Sequence, residues 1–146
     1  MRRQIFQTII AAVFIGSFNT NLITGTTPTF PLTSNGKCRS PGTAREAMQE
    51  ATAVFIGKIT KVDESDGVKA LEFSVEEYWK GETTKTQNVQ VNVGMRYSPG
   101  FAVSERYIVY AYKNSNGKLT TGRCSRTKLA QYADDDIKEL GKGKKP

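Results

Sequence analysis

The 146 residues amount to one domain once a leader is set aside, and their net charge of +7 favours acidic surfaces or polyanions without naming one. The absence of histidine removes the Ser-His-Asp and Cys-His arrangements and the commonest general base. Two cysteines without histidine also make a poor zinc set, because closed structural sites want four Cys or His ligands. Carboxylates and lysines leave catalysis formally open, but the composition reads as a binding protein, not an enzyme, with no cofactor of its own.

Residues 1–25 read as an export signal. Arg2 and Arg3 supply a positive start, and residues 5–18 (IFQTIIAAVFIGSF) supply an apolar stretch of 14 residues, short of the about 20 that span a bilayer. Ser17 and Gly25 are both placed to precede a cleavage site; the alternative is an uncleaved membrane anchor. Residues 19–35 (NTNLITGTTPTFPLTSN) are rich in Thr and Asn with two prolines, so 26–35 is a flexible lead-in and the folded domain is expected over 36–141. Setting Arg2 and Arg3 aside leaves 19 basic against 14 acidic residues, a domain charge of +5. An exported chain of this kind is secreted, periplasmic or extracellular, is not held in the membrane once the signal is removed, and is expected to be a monomer. In such a compartment Cys38 and Cys124 read first as a disulfide; without export they would be two free buried thiols.

The first element is a short helix. Thr43-Ala44-Arg45-Glu46 fits a capping box, and Ala44, Ala47, Met48 and Ala51 recur at i, i+3, i+4 and i+7 to give one small-residue face. Residues 53–62 (AVFIGKITKV) then read as a strand, with Gly57 marking a bulge or bend, and 63–67 (DESDG) as a hairpin turn. A second long strand runs over 68–79, where Leu71, Phe73 and Val75 alternate with Glu72, Ser74 and Glu76. Glu76 and Glu77 point to opposite faces and form no carboxylate pair. In the third strand Val89, Val91 and Val93 alternate with Asn88, Gln90 and Asn92. Residues 94–101 form a loop. The fourth strand, 105–113 (ERYIVYAYK), is apolar on both faces, as for a strand covered on each side. Residues 114–117 (NSNG) turn into a fifth strand over 119–124.

A C-terminal helix is expected over 133–140 with Gly141 as its stop. The run Asp134-Asp135-Asp136 in its first turn answers the helix dipole and lacks the spaced ligands of a calcium loop. The basic tail, 142–146, reads as a solvated, frayed end. Trp79 is expected in the core. Tyr107, Tyr110, Tyr112 and Phe101 with Arg96 and Arg106 would make an aromatic, basic groove for single-stranded nucleic acid, but packing of the central strand is the better reading and no nucleic acid is expected. By pattern alone the fold class is all-β with peripheral helices, either a barrel or a sandwich.

Several stretches together resemble the tissue inhibitors of metalloproteinases (TIMPs) and their bacterial relatives. They are Cys38 with the Ala-rich helix, Ala53-Val54-Phe55-Ile56-Gly57-Lys58, Phe73-Ser74-Val75 with Trp79-Lys80-Gly81, Glu105-Arg106-Tyr107-Ile108-Val109-Tyr110-Ala111, and Gly117-Lys118-Leu119 leading to Cys124-Ser125-Arg126. The likeness runs in order over nearly the whole domain. It implies a netrin-like OB fold: a five-stranded barrel with a short N-terminal and a C-terminal helix. In the inhibitory members the free amine and carbonyl of a first cysteine chelate the zinc of a metalloprotease, at its open position. Aligned with that motif, Cys38 falls on the second cysteine and Cys124 on its usual partner. Gly36 stands where the first cysteine would be, and Tyr97 lies near the position of that cysteine's partner. The resemblance thus implies an inhibitory edge made of Gly36, Lys37, Cys38, Arg39 and Tyr97. The Gly36 backbone can reach a protease zinc only if Gly36 is the mature N-terminus, which needs a proteolytic step beyond signal removal. The alternative is a non-inhibitory netrin-like module that binds another extracytoplasmic protein or a polyanion.

Overall fold

Alternation of apolar and polar residues, carried on unusually long strands, sets the architecture. The computed structural model describes residues 38, 42–82, 84–92, 100–122 and 124–146. The leader, the lead-in, Gly36, Lys37, Arg39, Val93, most of the 94–101 loop, Arg96 and Tyr97 lie outside the described residues. The elements are α1 (Ala44–Glu50), β1 (Ala53–Ser65), β2 (Val68–Lys80), β3 (Thr86–Asn92), β4 (Arg106–Lys113), β5 (Leu119–Thr120), β6 (Lys128–Leu129), a 3-10 turn (Ala130–Tyr132) and α2 (Asp134–Leu140). Strand is the dominant structure and the two helices are short, as expected.

The strands close into a ring. β1 pairs antiparallel with β2, β2 with β3, and β4 with both β1 and β5, while β3 meets β5 in parallel at Gln90 and Thr120. β6 adds to β4 beyond β5, opposite Tyr107 and Ile108. The β1–β2 hairpin turns on Asp66 and Gly67 alone, both at positive φ (51° and 73°), so β1 continues three residues past its expected end. Two successive positive φ values are the signature of the tight turn that matches strand twist, and Asp-Gly tolerates it.

The ring encloses one apolar cluster and carries another outside. Inside lie Phe55, Ile59, Leu71, Phe73, Val89, Val91, Tyr107 and Val109, with Phe55 and Phe73 edge to face at 5.5 Å. Each such side chain contributes roughly 1.5–3 kcal/mol by leaving water. Outside, Val54 and Ile56 of β1 and Ile108, Tyr110 and Tyr112 of β4 are covered by Ala47 of α1, by Ala51 at its C-cap, and by Ala133 and Ile137 around α2. β4 is therefore buried on both faces, which is why its sequence does not alternate.

Gly57 does mark an irregularity: the β1–β2 register shifts between Ile56 and Gly57. A Cβ there would sit 2.9 Å from the Ser74 carbonyl oxygen and 3.3 Å from the Phe73 Cβ, so the bulge lets two strands close on each other. Two expectations are corrected. The fifth strand is two residues long and not six, because after Thr120 the chain leaves β4 and returns only as β6. The tail is not frayed: Tyr78 N donates to Lys144 O at 2.9 Å and Lys144 N to Tyr78 O at 2.8 Å, extending the edge of β2 that β3 vacates. Gly57→Ala should cost about 1–3 kcal/mol of stability through overpacking against backbone; urea unfolding measures it, and an unchanged midpoint would contradict the close approach.

Candidate functional site

The expected edge, Gly36 to Arg39 with Tyr97, is represented among the described residues by Cys38. It is exposed and bonded to the buried Cys124, 86 residues away, the pairing expected from the sequence. Closing that loop stabilises the fold by about 4.5 kcal/mol in the chain-entropy treatment. Gly36, Lys37, Arg39 and Tyr97 are outside the described residues. Near Cys124, the described residues form a network centred on the buried Asp136.

Asp136 sits in the first turn of α2 with no exposed surface. Arg126 holds it in a fork, Nε to Oδ2 at 2.8 Å and Nη2 to Oδ1 at 2.9 Å. Lys128 Nζ adds 2.8 Å to Oδ1, and the Tyr110 hydroxyl donates to Oδ2 at 3.0 Å. Burial by itself would push this carboxyl up, but the hydrogen bonds from Arg126, Lys128 and Tyr110 outweigh it and hold the group below the ordinary aspartate range. Burial, together with the Asp136 charge, raises the Tyr110 phenol well above its usual value. Contrary to expectation, the helix dipole therefore does not account for this residue, although it serves for the exposed Asp134 and Asp135. A signal was present: Asp136 lies on the same i, i+3, i+4, i+7 stripe as Ala133, Ile137 and Leu140, so the helix buries its face.

Thr121 and residues 124–127 are held by hydroxyl groups. Where β4 has lost β5 and not yet gained β6, Tyr110 N donates to Thr127 Oγ1 at 2.9 Å and Thr121 Oγ1 donates to Tyr110 O at 3.0 Å. Side chains thus replace the missing strand partner. Ser125 Oγ and Thr127 Oγ1 join Thr121 Oγ1 at 2.9 and 2.7 Å, and all three residues are buried. Cys124 and Arg126 are set within this knot, so the disulfide and the fork to Asp136 rest on the same few residues.

From here ties run to Gly42 and to α1. Arg126 Nη1 donates to Gly42 O at 2.5 Å. Thr43 and Glu46 form the capping box that the sequence implied. Glu139 of α2 accepts from Ala44 N at 3.0 Å and Arg45 N at 3.1 Å, and those backbone bonds hold its carboxyl below the usual glutamate range. At the other end of α1, Lys80 Nζ meets the Met48 and Gln49 carbonyls at 2.9 and 2.8 Å, a cation where the helix dipole is negative. Trp79 is half-buried against the outer cluster, with Nε1 donating to Gly141 O at 2.8 Å. The result is a bracket of α1, α2 and residues 121–127 over the outer face of β1 and β4.

Other sequence candidates are accounted for. Tyr107, Tyr110, Tyr112 and Phe101 are buried, so their rings pack the fold and offer no stacking platform, and Arg106 is paired with Glu76. Glu77 accepts from Gly143 N at 2.6 Å and fixes the tail, a role its sequence context did not announce. Among the described residues there is no group of three His, Cys, Asp or Glu side chains that could hold a metal ion, and no helix long and apolar enough to cross a membrane. The chain matches no protein-family model and no curated protein.

Asp136→Asn should cost about 3–5 kcal/mol, because Arg126 and Lys128 keep their charge with no counterion. The pH dependence follows from the direction of the shift. A carboxyl that titrates lower folded than unfolded contributes stability that is complete above about pH 4 and lost as pH falls through the folded value. Urea unfolding from pH 7 down to pH 2 should therefore show a smaller acid loss in Asp136→Asn than in the parent; parallel curves would contradict the charged assignment.

Proposed function

We propose that this chain is an exported, TIMP-like protein with a netrin-type OB barrel, acting through the N-terminal edge of that barrel on an extracytoplasmic protein, with a zinc metalloendopeptidase as the leading target. The observation that carries the reading is the Cys38–Cys124 bridge beside the Arg126–Gly42 tie. Together they fix the chain immediately after residues 36–37, so an inserting edge there would lose little freedom on binding. The strand order supports the barrel reading: a β1-β2-β3 meander is closed into a ring by the β4–β5 hairpin, with helices outside, as an OB-type barrel would require.

The chemistry asked of the edge is specific. With Gly36 as first residue, its amine and carbonyl would enter the open position of a protease zinc, and no side chain is required of it. With residues 26–35 attached the same nitrogen is an amide and a poor ligand. The second reading, a non-inhibitory netrin-like module for another extracytoplasmic protein or a polyanion, draws on the domain's net charge of +5 and needs no free amine.

The two readings separate on the N-terminal residue and intact mass of the exported protein, followed by assay of two chains against zinc metalloendopeptidases. A natural start at Gly36, with inhibition at least about a hundredfold (about 2.8 kcal/mol) stronger than by a chain beginning at Thr26, is the expected result. A start at Phe18 or Thr26, or equal potency of the two chains, would overturn zinc chelation and leave the binding-module reading.

A further inference from the structure

Among the described residues, β3 is paired on one side over its whole length and on the other at a single point. Val75 N donates to Lys85 O at 2.8 Å, and the register continues in phase through Phe73–Gln87 and Leu71–Val89 without a shift. In an antiparallel ladder alternate residues turn their backbone groups to opposite sides. Gln87, Val89 and Val91 therefore face β2, and Asn88 and Gln90 present their N–H and C=O away from it. β5 takes up Gln90, with Thr121 N donating to Gln90 O at 3.0 Å, and the pairing stops there. Among the described residues, nothing pairs with the outward backbone of Asn88, an exposed residue, which makes it an open strand edge.

That edge borders a cleft of about 670 Å³. Gln87 and Asn88 line one part of it, Lys113 and Lys118 of the β4–β5 hairpin another, and Val89 and Leu119 give it apolar surface. Neither lysine ammonium has an ion-pair partner among the described residues, and Glu82 is the single acid in the lining. Proteins commonly blunt such an edge with proline, a bulge or an inward charge; β3 has no proline and no bulge against β2.

We propose that this cleft is a strand-addition site for a short, extended, acidic segment of a partner protein. Its backbone pairs with Asn88 at the open edge of β3, and its carboxylates meet Lys113 and Lys118. Main-chain hydrogen bonds supply affinity in this mode and side-chain pockets supply choice; here the ammonium groups of Lys113 and Lys118 select acid over base. The site is independent of the N-terminal edge and of the function proposed for it.

The test is a titration of the full, disulfide-intact, 15N-labelled chain with a blocked hexapeptide alternating valine and glutamate, and with its valine–lysine counterpart, up to ~1 mM, a modest affinity scale for one short strand. The valine–glutamate peptide should give saturable shifts of the Asn88 and Lys118 amides, and the valine–lysine peptide should not. Asn88→Pro removes the edge N–H without touching a bond to β2 and should abolish the shifts. Lys113→Glu with Lys118→Glu should weaken binding about tenfold or more, and decides the matter alone if the proline variant does not fold. Absence of saturable shifts, equal response to both peptides, or unaltered binding by the lysine variant would overturn the proposal.

Discussion

A carboxylate shut away from water is the constraint on which this fold is arranged. Removing a charge from solvent costs several kcal/mol even after relaxation, and a single counterion seldom returns it. Asp136 has a forked guanidinium, an ammonium and a phenol hydroxyl. Those donors come from residue 126 between the short strands, from β6 and from β4. Satisfying one side chain of α2 therefore dictates where the chain must pass after it leaves β5. The segment that results is short of backbone partners, and the hydroxyls of Thr121, Ser125 and Thr127 make up the difference.

The same guanidinium reaches past Asp136 to Gly42, which carries the constraint to the start of α1. Glu139 repeats the motif one turn along α2 by closing the first amides of α1. With Cys38 bonded to Cys124 and Gly42 tied to Arg126, both are held to residues that are themselves largely buried. A protein that binds through its N-terminal edge gains from such mounting, because ordering is done during folding and not during association. Stability and the proposed activity thus draw on one set of residues.

Much of this fold is legible in the amino-acid order. Local patterns mark the first four strands and both helices, since alternation and capping are properties of neighbouring residues: Val89 and Val91 face in, and Thr43 and Glu46 close α1. What escapes such patterns depends on residues far apart. β5 and β6 are two residues each, too short to leave a periodic trace, and exist because β4 lies beside them. A run of lysines and glycines reads as a loose end, yet a Cβ at Gly143 would come within 2.6 Å of the Glu77 side chain, so that glycine lets the tail lie against β2. Asp134, Asp135 and Asp136 look interchangeable as a run of acids, and only a place on the apolar stripe of α2 sets Asp136 apart. Of the candidate site, the disulfide is legible from cysteine count and the expected compartment; the bracket behind it is not, because nothing in the neighbourhood of Arg126 names Gly42 as its partner.

The claim that Arg126 couples the two ends is tested most directly by hydrogen exchange in the parent chain and in Arg126→Gln. If the coupling is as described, the α1 amides of Ala47 and Ala51 and the α2 amides of Ile137 and Gly141 lose protection together, while Phe73 and Val89 in the ring keep theirs. Retention of parent-like protection in α1, with loss confined to α2, would contradict it.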